Sequence, residues 1–311
     1  MNIFIFNNDT GYLLYSVIHG FTKLGHNITL SHDIQECVYK DQQDAIDEST
    51  IKKYYGHAFT IDRNFIHVEN NLEVIKDHIV SHTYDLCIFN ICNNELAYLT
   101  AFNDLLSLAT NYYSCNNIFI LDEKDDSSIV ALKEPFTKYL YFKRELIVGN
   151  ILQSNVQLFP ICYSIPREKF FNKQYYKSNI FINNYNYEGM MYDSSKRPEL
   201  NYDSIDSYFK AYNNSAFALT GQKGGYDRMV HYEIIASHCL PVFVDYIKIP
   251  RGVMMTWPTE YQLAANSLWH QFQFNYYFDE SKYFKLLDRF YDYAYENLTT
   301  ENLAKYLLKF C

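Results

Sequence analysis

The stretch from Thr220 to Glu233, TGQKGGYDRMVHYE, holds the residues whose types and spacing point most directly to chemistry. Gly221, Gly224 and Gly225 make a flexible turn after an apolar run, and a helical pattern follows. A glycine-rich turn feeding a helix start is an anion site, because backbone N–H groups point outward and the helix dipole favours negative charge. Asp227 stands where the N-cap of that helix is expected. Arg228 and His231 are three residues apart, share one face of the first turn, and together can hold a diphosphate. The next apolar run, LPVFVDY, reads as a returning strand. That places the turn at the carboxyl ends of parallel strands, where such sheets bind ligands. The same spacing also fits a plain strand, turn and capped helix. It is not the dinucleotide-binding pattern G-x-G-x-x-G.

These residues need a scaffold, and the rest of the chain reads as one. NIFIFNN is a short apolar run, so a buried strand. Leu13, Leu14, Val17, Ile18 and Phe21 then recur at helical spacing, with Gly25 at the helix end, and NITLSH is a second strand. This β-α-β opening continues with DLCIFNIC, the helical ELAYLTAFNDLLSLAT, NIFILDE and KYLYFKREL. Strands apolar on both faces suit a parallel sheet covered by helices. GNILQSNVQLFPICYSIPREKFF carries two prolines and no period, and reads as the crossing between two domains, 1–160 and 161–311. The second half offers strands at SNIFINNY, SAFALTG and LPVFVDY, helices between them, and a C-terminal helical segment broken at Leu298–Thr300. The expected fold is α/β, with two units facing one another.

The chain has 311 residues, 48% of them hydrophobic, enough for one large core or two smaller ones. Its net charge of −9 gives no global attraction to nucleic acid or anionic lipid. The 7 cysteines are odd in number and form no C-x-x-C pair, which reads as buried free thiols in a reducing compartment. No signal peptide and no apolar run of about 20 residues are apparent, so a cytoplasmic location without a transmembrane segment is expected.

The stretch GYDRMVHYEIIASHCLPVFVDYIKIP resembles the donor-binding segment of glycosyltransferases with two Rossmann-like domains, the GT-B architecture. It is most similar to the exostosin-like group and to related bacterial and viral nucleotide-sugar transferases. Asp227, Arg228, Tyr232, Glu233, Pro241, Val242, Phe243 and Pro250 fit that pattern. In the first half, the acidic LDEKDD and the YFKREL segment resemble the acidic loop and Phe-Lys-Arg-Glu segment of the same transferases. The resemblance implies that Glu233 bonds the donor ribose and that the basic residue near the turn faces the diphosphate. Gly224, Gly225, Asp227, Arg228, His231, Tyr232 and Glu233 form the expected donor site, joined by Arg197 and Lys143 as basic candidates, with Arg144 beside Lys143 also able to approach phosphates or the acceptor. On a straight helix Glu233 lies about 140° round from Arg228. Retaining relatives carry a second glutamate eight positions before the first, and here that position is Gly225. A glycine normally follows the glutamate by five residues, and here that position is His238.

Glycosyl transfer with inversion needs a base for the acceptor hydroxyl and cationic or dipolar help for the leaving diphosphate. Asp9 and Asp122 follow strand ends, which favours them as catalytic candidates; His32, Asp33, Glu95 and Asp125 are further options. Asp9 also suits a helix cap, and Asp122 to Asp126 also suits a solvated turn. No D-x-D occurs, so no metal site and no cofactor beyond the nucleotide-sugar substrate is expected. The acceptor is open among a glycan, a lipid-linked sugar, a protein and a modified DNA base, with the acidic balance weighing against nucleic acid. The rival readings are a non-catalytic nucleotide- or sugar-binding module of the same fold and a dinucleotide-dependent oxidoreductase, the latter opposed by the single glycine in NNDTGY.

Overall fold

In the computed structural model the apolar runs form two parallel sheets. The structure describes residues 1–7, 11–41, 59–92, 100–153, 157–182, 204–275 and 277–311. The first unit runs β1 (Asn2–Phe6), α1 (Tyr12–Lys23), β2 (Asn27–Leu30), β3 (Ile66–Val68), α2 (Leu72–Val80), β4 (Leu86–Ile91), α3 (Thr100–Tyr112), β5 (Ile118–Asp122), β6 (Leu140–Lys143), α4 (Val148–Gln153) and β7 (Leu158–Pro160). Its seven strands lie in the order β3-β2-β1-β4-β5-β6-β7, all parallel. The order reverses between β1 and β4, as in a doubly wound Rossmann-like sheet. Every residue of β4 and β5 is buried. Ile88, Phe119 and Leu121 face one core, while Cys87, Phe89 and Ile120 face another. Helices covering both faces account for the unbroken apolar character of these strands.

The second unit runs β8 (Asn179–Phe181), α5 (Ile205–Asn213), β9 (Ser215–Thr220), α6 (Met229–Ala236) and β10 (Leu240–Phe243). Its described strands form a parallel sheet in the order β10-β9-β8. Helices α7 (Thr259–Asn275), α8 (Glu280–Asn297) and α9 (Thr300–Leu308) complete the chain. The break expected at Leu298–Thr300 lies between α8 and α9. Gly25, just past α1, has φ of 79°, the left-handed conformation that glycine adopts without strain.

Several elements escaped the pattern reading. Strand β3 is three half-exposed residues, α2 buries only Ile75 and Ile79, and α7 buries few of its 17 residues. Strand β7 lies in the stretch read as a domain crossing; it is the edge strand of the first sheet, paired to β6 from Leu158 to Pro160. An edge strand of three residues carries too short a pattern to be told from a loop.

The two units share one apolar core, which runs from Ile3 and Leu13 through Tyr232 and Ile235 to Phe290 and Ala304. Helix α9 returns to the first unit and crosses α1 at Gly20, where any Cβ would overlap the Thr300 carbonyl. His19, wholly buried beside it, bonds Thr300 Oγ1 at 2.8 Å through Nδ1 and Glu168 Oε1 at 3.1 Å through Nε2. Glu168 also pairs with Lys23 at 2.8 Å. The burial and these three partners tie α1, the segment between the sheets and the last helix into one joint. The Gly20→Ala variant should therefore lose roughly 1–3 kcal/mol by overpacking. A lowered Tm with faster amide exchange over 299–308 is the expected result, and a wild-type Tm would mean that α9 is not seated on α1.

Candidate functional site

The carboxyl ends of both sheets meet at one charged seam. Glu123 to Asp126 follow β5, Arg144 and Glu145 follow β6, and Gly221 to Arg228 follow β9 and lead into α6. At the centre lies Arg144, only 1% exposed. Its Nε donates to Glu123 O at 3.0 Å and one terminal nitrogen donates to Glu145 Oε1 at 3.0 Å. The guanidinium also bonds the Asp227 carbonyl of the second unit and the Asp125 carboxylate. Its carbon sits 4.7 Å from the centre of the Tyr163 ring. A planar fork of five donors suits this position, since it reaches several acceptors at once without deprotonating.

The acidic groups around it are buried and held. Glu123 accepts from Leu13 N at 3.1 Å and from Asn90 Nδ2 at 3.1 Å, so its carboxylate fills the N-terminus of α1. Gly11 lacks a side chain where Glu123 lies, since a Cβ there would overlap the carboxylate. Asp122 is wholly buried and takes three donors: Tyr141 OH at 2.5 Å, Lys143 Nζ at 2.9 Å and Lys124 N at 3.1 Å. Lys143 is equally buried, and desolvation pulls its pKa down against the attraction of Asp122. Neither Asp122 nor Lys143 presents a free face. Asp125, by contrast, keeps 64% of its side chain exposed.

The glycine turn meets the first unit edge-on. A Cβ on Gly224 would overlap the Asp125 carboxylate, and one on Gly225 would overlap Glu145 Oε1. Glu145 Oε1 accepts the Asp227 N–H at 2.9 Å. Burial pushes the Glu145 carboxyl up to about 7, although Arg144 draws it down.

Asp227 does not cap α6. Arg228 holds the N-cap position, with extended backbone at φ −135° and ψ 139° and no side-chain cap bond. The reason is that the Asp227 carboxylate turns back into the seam, where it accepts from Tyr163 N at 2.8 Å and from Tyr232 OH at 2.8 Å. Burial raises its pKa, partly offset by Arg144. Arg228 is half-buried and donates to Gly221 O at 2.7 Å, which joins the two ends of the turn.

His231 was expected to share the diphosphate face with Arg228, and the structure turns it inward. It is wholly buried, Nε2–H donates to the Tyr226 carbonyl at 2.8 Å, and Nδ1 accepts from the Thr220 hydroxyl at 2.7 Å. A carbonyl can only accept, which sets that tautomer. Burial and then Arg228 push its pKa down to about 3, so the ring is neutral. His238 takes the left-handed conformation at φ 54°. Its Nδ1 accepts from Gln174 N at 3.0 Å and its Nε2 faces Asp288 at 3.2 Å. Histidine tolerates this conformation better than branched residues do, and buried bonds on both nitrogens hold it there.

Glu233 is 2% exposed. One carboxyl oxygen accepts from Tyr208 OH at 2.7 Å, and the other, Oε1, has no hydrogen-bond partner among the described residues. Burial lifts its pKa to about 7, against the Tyr208 bond and Arg228. Its charge is felt by Tyr12 at the start of α1, whose phenol is raised first by burial and then by Glu233. Glu233 therefore lies within electrostatic reach of the start of α1.

Among the expected site residues, Gly224, Gly225, Asp227 and Arg228 gather at the seam with Arg144, while Tyr232 supports Asp227 from below. Asp9 and Arg197 lie outside the described residues, as does Glu95. Glu145, Tyr163 and Tyr208 were not singled out from the sequence. Glu145 alone carried a signal, as the acid closing the KRE triplet at a strand end. Among the described residues no group of three His, Cys, Asp or Glu side chains is placed to hold a metal ion.

A cavity of about 250 Å³ opens beside β10, lined by Val244, Tyr246, Ile247, Trp269 and His270 among others. Val244 also packs against Gly221, the first residue of the turn. The Asn266 side-chain amide bonds both Phe243 N at 3.0 Å and Phe243 O at 2.8 Å, which closes the free edge of β10.

No family model matches this chain, and a search of curated proteins finds no match.

The raised carboxyl groups make stability depend on pH. Folded Glu233 and Glu145 titrate at about 7, above the ordinary glutamate value of 4.5, so the folded state binds more protons across that window. Their contribution is fully present below the ordinary value and is lost as pH rises through about 7. Glu233→Gln should flatten this loss, so that its Tm falls less than the wild-type Tm between about pH 5 and pH 8. An unchanged slope would place the titration elsewhere.

Proposed function

We propose that this chain is a glycosyltransferase that moves a sugar from a nucleotide-sugar donor to an acceptor hydroxyl, with the two sheets acting as the two halves of a GT-B architecture. The single observation that carries the reading is Glu233: a buried carboxyl with one oxygen unpartnered among the described residues, on the helix that follows the glycine turn and within electrostatic reach of the start of α1. A buried polar atom without a partner costs about 1–3 kcal/mol. A ribose hydroxyl supplies the missing donor. Arg228, at the N-cap of α6, is a cation of the second unit beside the turn over which the diphosphate is expected. The absence of D-x-D supports a donor held by these groups in place of a carboxylate-bound metal.

In an inverting transfer the acceptor oxygen forms its bond to the anomeric carbon as the bond to the diphosphate breaks. A base takes the hydroxyl proton and cations receive the leaving charge. Among the acidic groups of the β5 loop, Asp122 is enclosed by three donors, whereas Asp125 reaches solvent at the seam. Asp125 therefore stands ahead of Asp122 as the base. The enclosure of Asp122 equally favours a second reading, a nucleotide- or sugar-binding module of the same fold that performs no transfer.

A thermal-shift panel of UDP-, GDP-, CMP- and dTDP-sugars tests the proposal. One of them, at about 100 times its Kd, should stabilise the protein by about 2.7 kcal/mol and raise Tm by several degrees. Glu233→Ala should abolish that shift while the apo variant stays folded. If no donor raises Tm, the donor site is lost. Slow donor hydrolysis without acceptor separates the enzyme from the binding module.

A further inference from the structure

We propose that the seam is self-inhibited: Glu145 and Asp125 occupy the anion cradle of the glycine turn, and an anionic ligand must expel them to bind. This rests on the reading of that turn as the place of the donor diphosphate. Three observations carry it. The Asp227 N–H, which points out of the turn, is already donated to Glu145 Oε1 at 2.9 Å. Gly225 and Gly224 have no room for a Cβ because Glu145 and Asp125 stand against them. Both carboxylates also bond Arg144, the one buried guanidinium among the described residues at the seam.

The glycines thus serve two occupants. A carboxylate and a phosphoryl group offer the same acceptor oxygens to backbone N–H groups and to a guanidinium. With both carboxylates in place two negative charges face the one guanidinium of Arg144, and an incoming phosphate meets like charge. With them withdrawn, Arg144 and the Asp227 N–H face an empty cradle of matching charge. The two acids differ in depth: Glu145 keeps 4% of its side chain exposed, against 64% for Asp125. Asp125 is therefore the outer acid, displaced first, and Glu145 the inner one that holds the turn to the first unit. Expelling Glu145 breaks a direct bond between the units, so binding at the turn is coupled to their separation.

The test uses the full chain and inorganic pyrophosphate, measured by calorimetry. Glu145→Gln keeps the shape and removes the charge, and Asp125→Asn does the same for the outer acid. Glu145→Gln should bind pyrophosphate at least tenfold more tightly than wild type, and the double variant more tightly still. In wild type, saturating pyrophosphate should speed amide exchange at 144–146, where Glu145 is released, a readout that needs no variant. A folded Glu145→Gln variant with wild-type affinity overturns the proposal, as does unchanged exchange on pyrophosphate binding. The nucleotide-sugar panel on the same samples separates the two claims. A gain for pyrophosphate with no response to any nucleotide sugar upholds the latch and removes the donor reading. A nucleotide response that Glu145→Gln leaves unaltered removes the latch and keeps the donor site.

Discussion

The arrangement of the two units depends on Arg144. A guanidinium this buried carries a desolvation cost of several kcal/mol, which is offset only when its donors all find acceptors. Here the acceptors come from three directions: the β5 loop through Glu123 O and Asp125, its own strand end through Glu145, and the second unit through Asp227 O. Loss of any one element would leave a charge without its partners in the interior. The Tyr163 ring covers the guanidinium face, and the backbone N–H of the same residue bonds Asp227 Oδ2. One residue of the crossing segment thereby touches both sides of the clasp.

That constraint explains local features that otherwise look arbitrary. Asp227 cannot cap α6 because its carboxylate, its carbonyl and its N–H are all engaged across the seam. Arg228 then takes the N-cap position with no side-chain bond of its own to the helix. His231 instead anchors the start of α6 by holding the Tyr226 carbonyl and the Thr220 hydroxyl, one from the turn and one from the end of β9. Helix α6 is only eight residues long and buried on nearly every side, so packing and these polar bonds decide its position more than intrinsic propensity does.

The sequence made the first sheet legible because its central strands are continuous apolar runs, and the glycine turn legible because glycines cluster before a helical pattern. Gly25, the β9–turn–α6 sequence and the α8–α9 break follow from local rules that the tertiary structure leaves in place. The failures have a common physical cause. Asp227 as N-cap and His231 as a phosphate ligand are local readings overruled by partners more than 60 residues away for Asp227 and by the inward face of a buried helix for His231. Tyr163 and Tyr208 carry no local signal, since a tyrosine among 31 is conspicuous only when its partner is known. Strand β7 is too short to show a period. Resemblance marked Glu233, and the structure adds what no pattern states: an oxygen left without a partner.

Glu233 and Glu145 are the two halves of one electrostatic problem. Both are glutamates at the seam whose pKa burial lifts to about 7. They differ in how burial is compensated. Glu145 bonds a guanidinium of its own unit and a backbone N–H of the other, so its bond to Asp227 strengthens the closed seam. Glu233 has one tyrosine bond and one oxygen with none among the described residues, so the closed seam leaves it unsatisfied there. Closure therefore favours one carboxyl and penalises the other, and the balance shifts toward opening as soon as an outside donor reaches Glu233. On the proposed reading, a ligand that carries hydroxyls at one end and an anion at the other would meet both demands: its hydroxyls would pair with Glu233 while its anion took the place of Glu145. A nucleoside diphosphate has that distribution of groups, and a bare phosphate or a neutral sugar has only half of it.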